Sequence, residues 1–161
     1  PNDSFSTVSE IAFDLAYDDS DLWGEKFGGL QPYVMVAFEF DGTAFGDEEG
    51  VYLELGIAPS FVAMPDSDFP ITIAVPITVG LSLDDYYEAD PDGDGIVDDE
   101  FFGFLDVGVT ASVPLSFVPS KFGSWSIAGG VHFLFLGDHT EFANEQDDFE
   151  VIGTLGFSGE F

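Results

Sequence analysis

Seven stretches of this chain put bulky apolar residues at every second position, a period that fits a strand and leaves a helix without an apolar stripe. The clearest runs over residues 69–83. There Ile71, Ile73, Val75, Ile77, Val79, Leu81 and Leu83 alternate with Thr72, Ala74, Pro76, Thr78, Gly80 and Ser82. The same pattern covers 5–17, 30–40, 51–63, 101–117, 125–136 and 149–161. A chain of 161 residues in which this period dominates is expected to fold as one all-β domain.

The two faces written by this alternation differ in kind. One is bulky and apolar throughout. The other is Gly, Ala, Ser and Thr, with Glu10, Asp14, Glu39, Glu54, Asp106, His132 and Glu150 scattered along it. Charge narrows the partners. Against 32 Asp and Glu stand only Lys26 and Lys121, for a net charge of −30, so nucleic acid and anionic headgroups are repelled and cations are favoured. A hydrophobic content of 45% excludes a disordered acidic tail. Cysteine is absent, which removes disulfides, thiolate metal sites and thiol chemistry. No uninterrupted apolar run is long enough for a membrane-spanning helix. Opening on Pro1 with no signal peptide behind it, the chain reads as a mature or trimmed form.

Two architectures fit seven such strands: a two-sheet β-sandwich with the bulky face inward, or an up-and-down transmembrane barrel with that face toward lipid and the small face lining a lumen. Length favours the barrel. Sandwich strands commonly run about 5–6 residues and spanning strands about 9–11, whereas these segments exceed both. The connections alternate as well, with long acidic ones at 41–50, 84–100 and 137–148 and short ones at 64–68 and 118–124. The connection at 18–29 breaks that rule by being long where a short one is due. Pro76, in mid-run, and Pro114, near a strand end, are expected at bulges because proline cannot donate to a ladder.

The closing segment FEVIGTLGFSGEF alternates and ends on an aromatic, and GVTASVPLSFVPSKFGSWSIAGGVHFLFLGD reads as a spanning hairpin with a tight turn at 119–124, Phe122 and Trp125 standing where an interface belt would be. In these segments the chain resembles the bacterial outer-membrane β-barrels. That resemblance implies a barrel of about eight strands, membrane lipid as a partner, and Phe161 as the residue presented to the outer-membrane assembly machinery. Such barrels have even strand counts. With seven segments in view, either a strand lies before Pro1 or the first segment does not span. With the C-terminus on the periplasmic side, the long acidic connections fall outside the cell and Lys26 and Lys121 fall on the periplasmic side.

Within residues 90–100, Asp90, Asp92 and Asp94 alternate, Gly95 follows, and Asp98 and Glu100 close, close to the spacing that wraps oxygen ligands around Ca²⁺. Position twelve is Phe101 rather than Glu, so Asp98 or Glu100 would have to complete the shell, at low affinity. The other acidic clusters, 18–21, 47–49 and 145–148, lack this spacing and read as solvating charge. Catalysis has no support in the residues. There are two histidines, no cysteine and no glycine-rich loop leading into a helix, and His132 on the small face is expected to meet a carboxylate such as Asp106 or Glu150 in a structural role.

The expected protein is therefore a non-enzymatic barrel of the bacterial outer membrane, a small cation-preferring channel or an envelope scaffold, able to join a homo- or hetero-oligomer there. The rival is a secreted, extracellular calcium-binding β-sandwich that assembles into a surface layer or fibre.

Overall fold

The computed structural model describes residues 9–23, 27–41, 49–90, 93 and 95–160. Its strands are β1 (Ser9–Ala16), β2 (Tyr33–Asp41), β3 (Val51–Ile57), β4 (Ser60–Ala63), β5 (Ile71–Ala74), β6 (Ile77–Asp84), β7 (Glu88–Ala89), β8 (Asp98–Asp99), β9 (Phe102–Pro114), β10 (Ser124–Leu136) and β11 (Phe149–Glu160). One antiparallel sheet takes the order β1-β2-β3-β6-β9-β10-β11, with β4 and β5 paired beside it and β7–β8 a separate small ribbon. This sheet curls into a half-barrel. A single short helix, α1 (Asp138–Ala143), interrupts the connection between β10 and β11.

The segments expected at 51–63 and 69–83 each arrive in two pieces, and proline is the reason. Val75 donates its N–H to the Pro59 carbonyl at 2.9 Å and Gly108 donates to the Pro76 carbonyl at 2.8 Å, but neither proline can return the bond. Each loses one ladder bond and nothing more. Ala74 faces Thr110 and Ile77 faces Val107 in one unbroken register, so the bulge expected at Pro76 does not form. Nor does one form at Pro114, the last residue of β9, which pairs with Ser126 in the regular β9–β10 ladder. The irregularities sit elsewhere, between Ser9 and Glu10, Val51 and Tyr52, and Gly80 and Leu81.

The over-long first connection also has a structural reason. β3 and β4 continue past the end of β2, and the returning chain covers that edge: Gly28 donates to the Ser60 carbonyl at 2.7 Å, Ala58 donates to Leu30 at 2.8 Å, and Phe27 bridges Phe61. The clasp holding this segment is Asp19, only 5% exposed, which accepts from Trp23 Nε1 at 2.7 Å and from the backbone N–H of Leu30 and Gln31 at 3.1 and 2.8 Å. Gly29 has φ +86°, and any Cβ there would strike the Asp19 carboxylate. Burial works to raise the Asp19 pKa, but the Gln31, Trp23 and Leu30 hydrogen bonds outweigh it and hold the group below the usual carboxylate range.

Burial in this sheet is inverted. Among the described residues the buried apolar set is only Ala37, Tyr52 and Tyr87, and the one large set of aliphatic and aromatic side chains stands on the opposite, convex face. Phe13, Leu15, Val109, Leu155 and Phe157 there are all at least half exposed. Among the described residues, no second layer of structure packs against them: the substantial element contacts of the main sheet are between ladder neighbours, with small ones to α1. No helix in the described residues is long and apolar enough to cross a membrane, which leaves strands out of account.

Candidate functional site on the concave face

Because side chains alternate across a strand, the register alone decides which residues share a face. Glu10 lies opposite Glu39, Met35 opposite Glu54, Ala37 opposite Tyr52, Thr78 opposite Asp106, Gly108 opposite His132 and Leu134 opposite Glu150. Glu10, Asp14, Glu39, Glu54, Asp106, His132 and Glu150 thereby fall on one side of the half-barrel, spread from its first ribbon to its last. Glu39 is buried, Glu54, Asp106, His132 and Glu150 are half-buried, and Glu10 and Asp14 are exposed on the edge strand.

At the centre Glu54 is clamped by two phenols. Tyr33 Oη donates to its Oε1 at 2.8 Å and Tyr52 Oη to its Oε2 at 2.7 Å. The Tyr33 proton being committed, the 3.0 Å contact with Thr78 Oγ1 has the threonine as donor. Bonds of this kind to a carboxylate are the stronger sort, roughly 1.5–3 kcal/mol each. Across β6, between β9 and β10, His132 Nδ1 lies 2.8 Å from Asp106 Oδ2. An ionised carboxylate only accepts, so Nδ1 carries the proton. The second oxygen, Asp106 Oδ1, is buried and has no hydrogen-bond partner among the described residues. Glu150 meets Asn144 Nδ2 at 3.2 Å rather than His132.

The glycines of this face serve as seats for rings. A Cβ on Gly56 would overlap the Tyr33 ring, one on Gly80 the Phe104 ring, and one on Gly108 the His132 imidazole. The small residues are therefore what lets large polar side chains lie flat across the concave wall.

Toward the acidic rim, the connection from β6 to β9 folds over this wall and caps it. Tyr86 lies tilted on Tyr52 and Tyr87 meets it edge-on, with centroids 4.8 and 6.2 Å away, and Tyr87 is 4% exposed. Met35 and Phe104 pack beneath. α1 latches the cap: His139 Nδ1 donates to the Tyr87 carbonyl at 2.7 Å, its backbone N–H donates to Glu100 Oε2 at 2.7 Å, and Thr140 Oγ1 donates to the Gly103 carbonyl. Burial first, then the nearby charges of Glu39, Glu10 and Glu54, push the Tyr86 phenol up to about 12. Burial likewise raises Tyr87, with the Tyr86 phenol adding to it.

Of the expected calcium ligands, Asp92 and Asp94 lie outside the described residues, as does Phe161. Asp90 Oδ2 accepts the Gly95 N–H at 2.9 Å, Asp98 pairs with Ala89 in the β7–β8 ribbon, and Glu100 is spent on His139. Ser82 Oγ donates to Asp99 at 2.7 Å, a carboxylate outside the expected ligand set. No three of Asp, Glu, His or Cys converge on a metal position among the described residues.

Tyr33, Tyr52, Thr78, Tyr86 and Tyr87 are the residues that reading the sequence missed. A signal existed. Tyr33 and Tyr52 stand as two large phenols among Gly, Ala and Met on a small-residue face, beside the carboxylates they bind.

No family model matches the chain, and neither a curated protein nor a solved structure is significantly similar to it.

Proposed function

We propose that the half-barrel is the major part of a closed antiparallel barrel of about eight strands in the bacterial outer membrane, serving as a small cation-preferring channel or an envelope scaffold. The observation that carries this reading is the inverted burial. Phe13, Leu15, Val109, Leu155 and Phe157 stand half or more exposed on the convex face while the carboxylates and phenols gather on the concave one. In water that arrangement leaves a large apolar surface wet; in a bilayer it puts the surface in hydrocarbon and keeps the polar wall inside. β9 and β10, 13 residues each, are long enough to cross the hydrocarbon at a tilt.

A barrel of this size is nearly filled by its own side chains, and Tyr33, Tyr52 and the tyrosine cap add to the filling, so any conduction is narrow. Glu10, Asp14, Glu39, Glu54, Asp106 and Glu150 would favour cations. Phe161 would be the residue read by the assembly machinery, and lipid the principal partner. Asp90, Asp92, Asp94, Asp98 and Glu100 would form a weak external Ca²⁺ loop, supported by the Asp90–Gly95 turn and by the net charge of −30. No residue is assigned a catalytic role.

Extraction by detergent alone, with gel mobility that changes on heating, is the expected result. Full solubility in plain buffer would instead support the secreted calcium-binding sandwich that assembles into a surface layer or fibre. Recording single channels should show cation preference, and anion preference would contradict the lumen assignment. Raising calcium should raise the melting temperature; no shift would remove the calcium loop.

A further inference from the structure

The two edges of the sheet do not complete one another. The sheet has seven ribbons with every neighbour antiparallel, so β1 and β11 run in the same direction and cannot join in the antiparallel pattern of the rest. One more strand, antiparallel to both, would bridge them. Among the described residues no strand pairs with either outer edge. Tyr17 donates to the Pro32 carbonyl, so by alternation Glu10, Ala12, Asp14 and Ala16 turn their backbone groups away from β2. On the far side Leu136 donates to the Asp148 carbonyl, so Phe149, Val151, Gly153, Leu155, Phe157 and Gly159 turn theirs away from β10. β1 is exposed on both faces over nearly its whole length, and so is β11. Neither edge carries the lysines or prolines that usually blunt a free edge.

What the edges do carry is negative charge on the concave side: Glu10 and Asp14 on one, Glu150 and Glu160 on the other. Like charges placed opposite across strands repel, so this lining opposes another acidic strand and favours a basic one. The 161 residues contain only Lys26 and Lys121, so no segment of this sequence, in the same copy or in a second, can present a basic-faced strand. We propose that the seam between β1 and β11 is a docking site for one extended strand from outside these 161 residues, apolar on its outward side and basic on its inward side. The outward side continues the band of Ile11, Phe13 and Leu15 into that of Val151, Leu155 and Phe157. On the inward side it covers Ile152, the one large aliphatic residue of the concave side of β11, which is 46% exposed. The proposal rests on the barrel reading for its strand count.

The test uses the full chain, in detergent micelles and in plain buffer, with synthetic strands of about ten residues that carry a photo-cross-linker and alternate Val or Leu with Lys; matched strands carry Glu or a central Pro. The Lys strand should bind one per chain and cross-link to both β1 and β11, with at least tenfold weaker binding by the Glu and Pro strands. Glu10→Gln with Asp14→Asn should shrink the Lys-over-Glu preference without abolishing capture. Equal binding of Lys and Glu strands would overturn the proposal, and so would edge-to-edge dimers of the chain alone. A direct intrachain disulfide between Phe13→Cys and any of Val151→Cys, Gly153→Cys or Leu155→Cys would overturn it as well. Capture by a chain soluble in buffer would keep the docking site and sink the membrane barrel; a detergent-requiring chain that refuses every strand would do the reverse.

Discussion

Val109 and Tyr52 are both apolar-bodied residues in neighbouring parts of one sheet, yet Val109, on the convex side, is 50% exposed and Tyr52, on the concave side, is 6% exposed. The convex side holds aliphatic and aromatic groups that no other described element covers; the concave side holds phenols, carboxylates and glycines under a tyrosine cap. In a water-soluble sheet protein the aliphatic face is the one that packs, because burying apolar area is the main favourable term. Here the polar wall is the packed one. The sheet thus has its solvent preferences reversed, and each face should respond to substitution according to the medium it meets.

The largest contrast is expected from Val109→Arg. Against hydrocarbon it should cost about 2–4 kcal/mol, whereas on a wet surface a substitution of this kind stays within about 0.5 kcal/mol. Urea unfolding in vesicles and in buffer separates the two. On the concave side Tyr87→Ala should remove about 3 kcal/mol from the cap, read as faster hydrogen exchange over the connection from β6 to β9, with the far rim unchanged. Tyr52→Phe leaves the ring in place and takes only its bond to Glu54 Oε2, a loss of about 1.5–3 kcal/mol.

The smallest effects come with pH, and they act on opposite rims. The Tyr86 phenol is raised from 10.0 to about 12 in the fold, so its neutral form stabilises the cap fully below pH 10. That contribution is lost as pH rises toward 12, and absorbance near 295 nm should show late phenolate formation with loosening of the cap. At the other rim the Gln31 side chain, with Ser20, lowers Asp18 from 3.8 to about 2. Its contribution is complete above 3.8 and fades as pH falls toward 2, with the clasp of Asp19 weakening in the same direction. Asp19→Asn should move acid sensitivity at this rim and leave the alkaline transition of the cap alone.

Much of the fold could be read from alternation, because a period of two fixes which side chains share a face whatever their partners. Ile71 through Leu83 announced a ribbon, and its two faces were assigned without coordinates. The interruption at Pro76 was legible as a missing donor, but not its outcome. Whether the chain bulges or simply forgoes one bond depends on the neighbour, and Gly108 accommodates the ring of Pro76 without a register shift. The concave cluster was half legible. Glu54 and Asp106 could be placed on one face, but the partners that hold them come from other ribbons: Tyr33 to Glu54 is 21 residues away and His132 to Asp106 is 26. The latch of α1 onto Tyr87 and Glu100 was not legible at all, since DHTEFA is too short for a helical stripe and its contacts are tertiary.

Cysteine is absent from the chain, so single cysteines give a clean label. The most direct test places one at a time along β9, from Val107→Cys to Ser112→Cys, in protein reconstituted into lipid vesicles, and measures reaction with a water-soluble and a lipid-soluble maleimide. A lipid-facing convex side predicts strict alternation: positions 107, 109 and 111 react with the lipid-soluble reagent and resist the other, and 108, 110 and 112 do not share that preference. Convex positions that react readily with the water-soluble reagent, vesicles or not, would contradict the account.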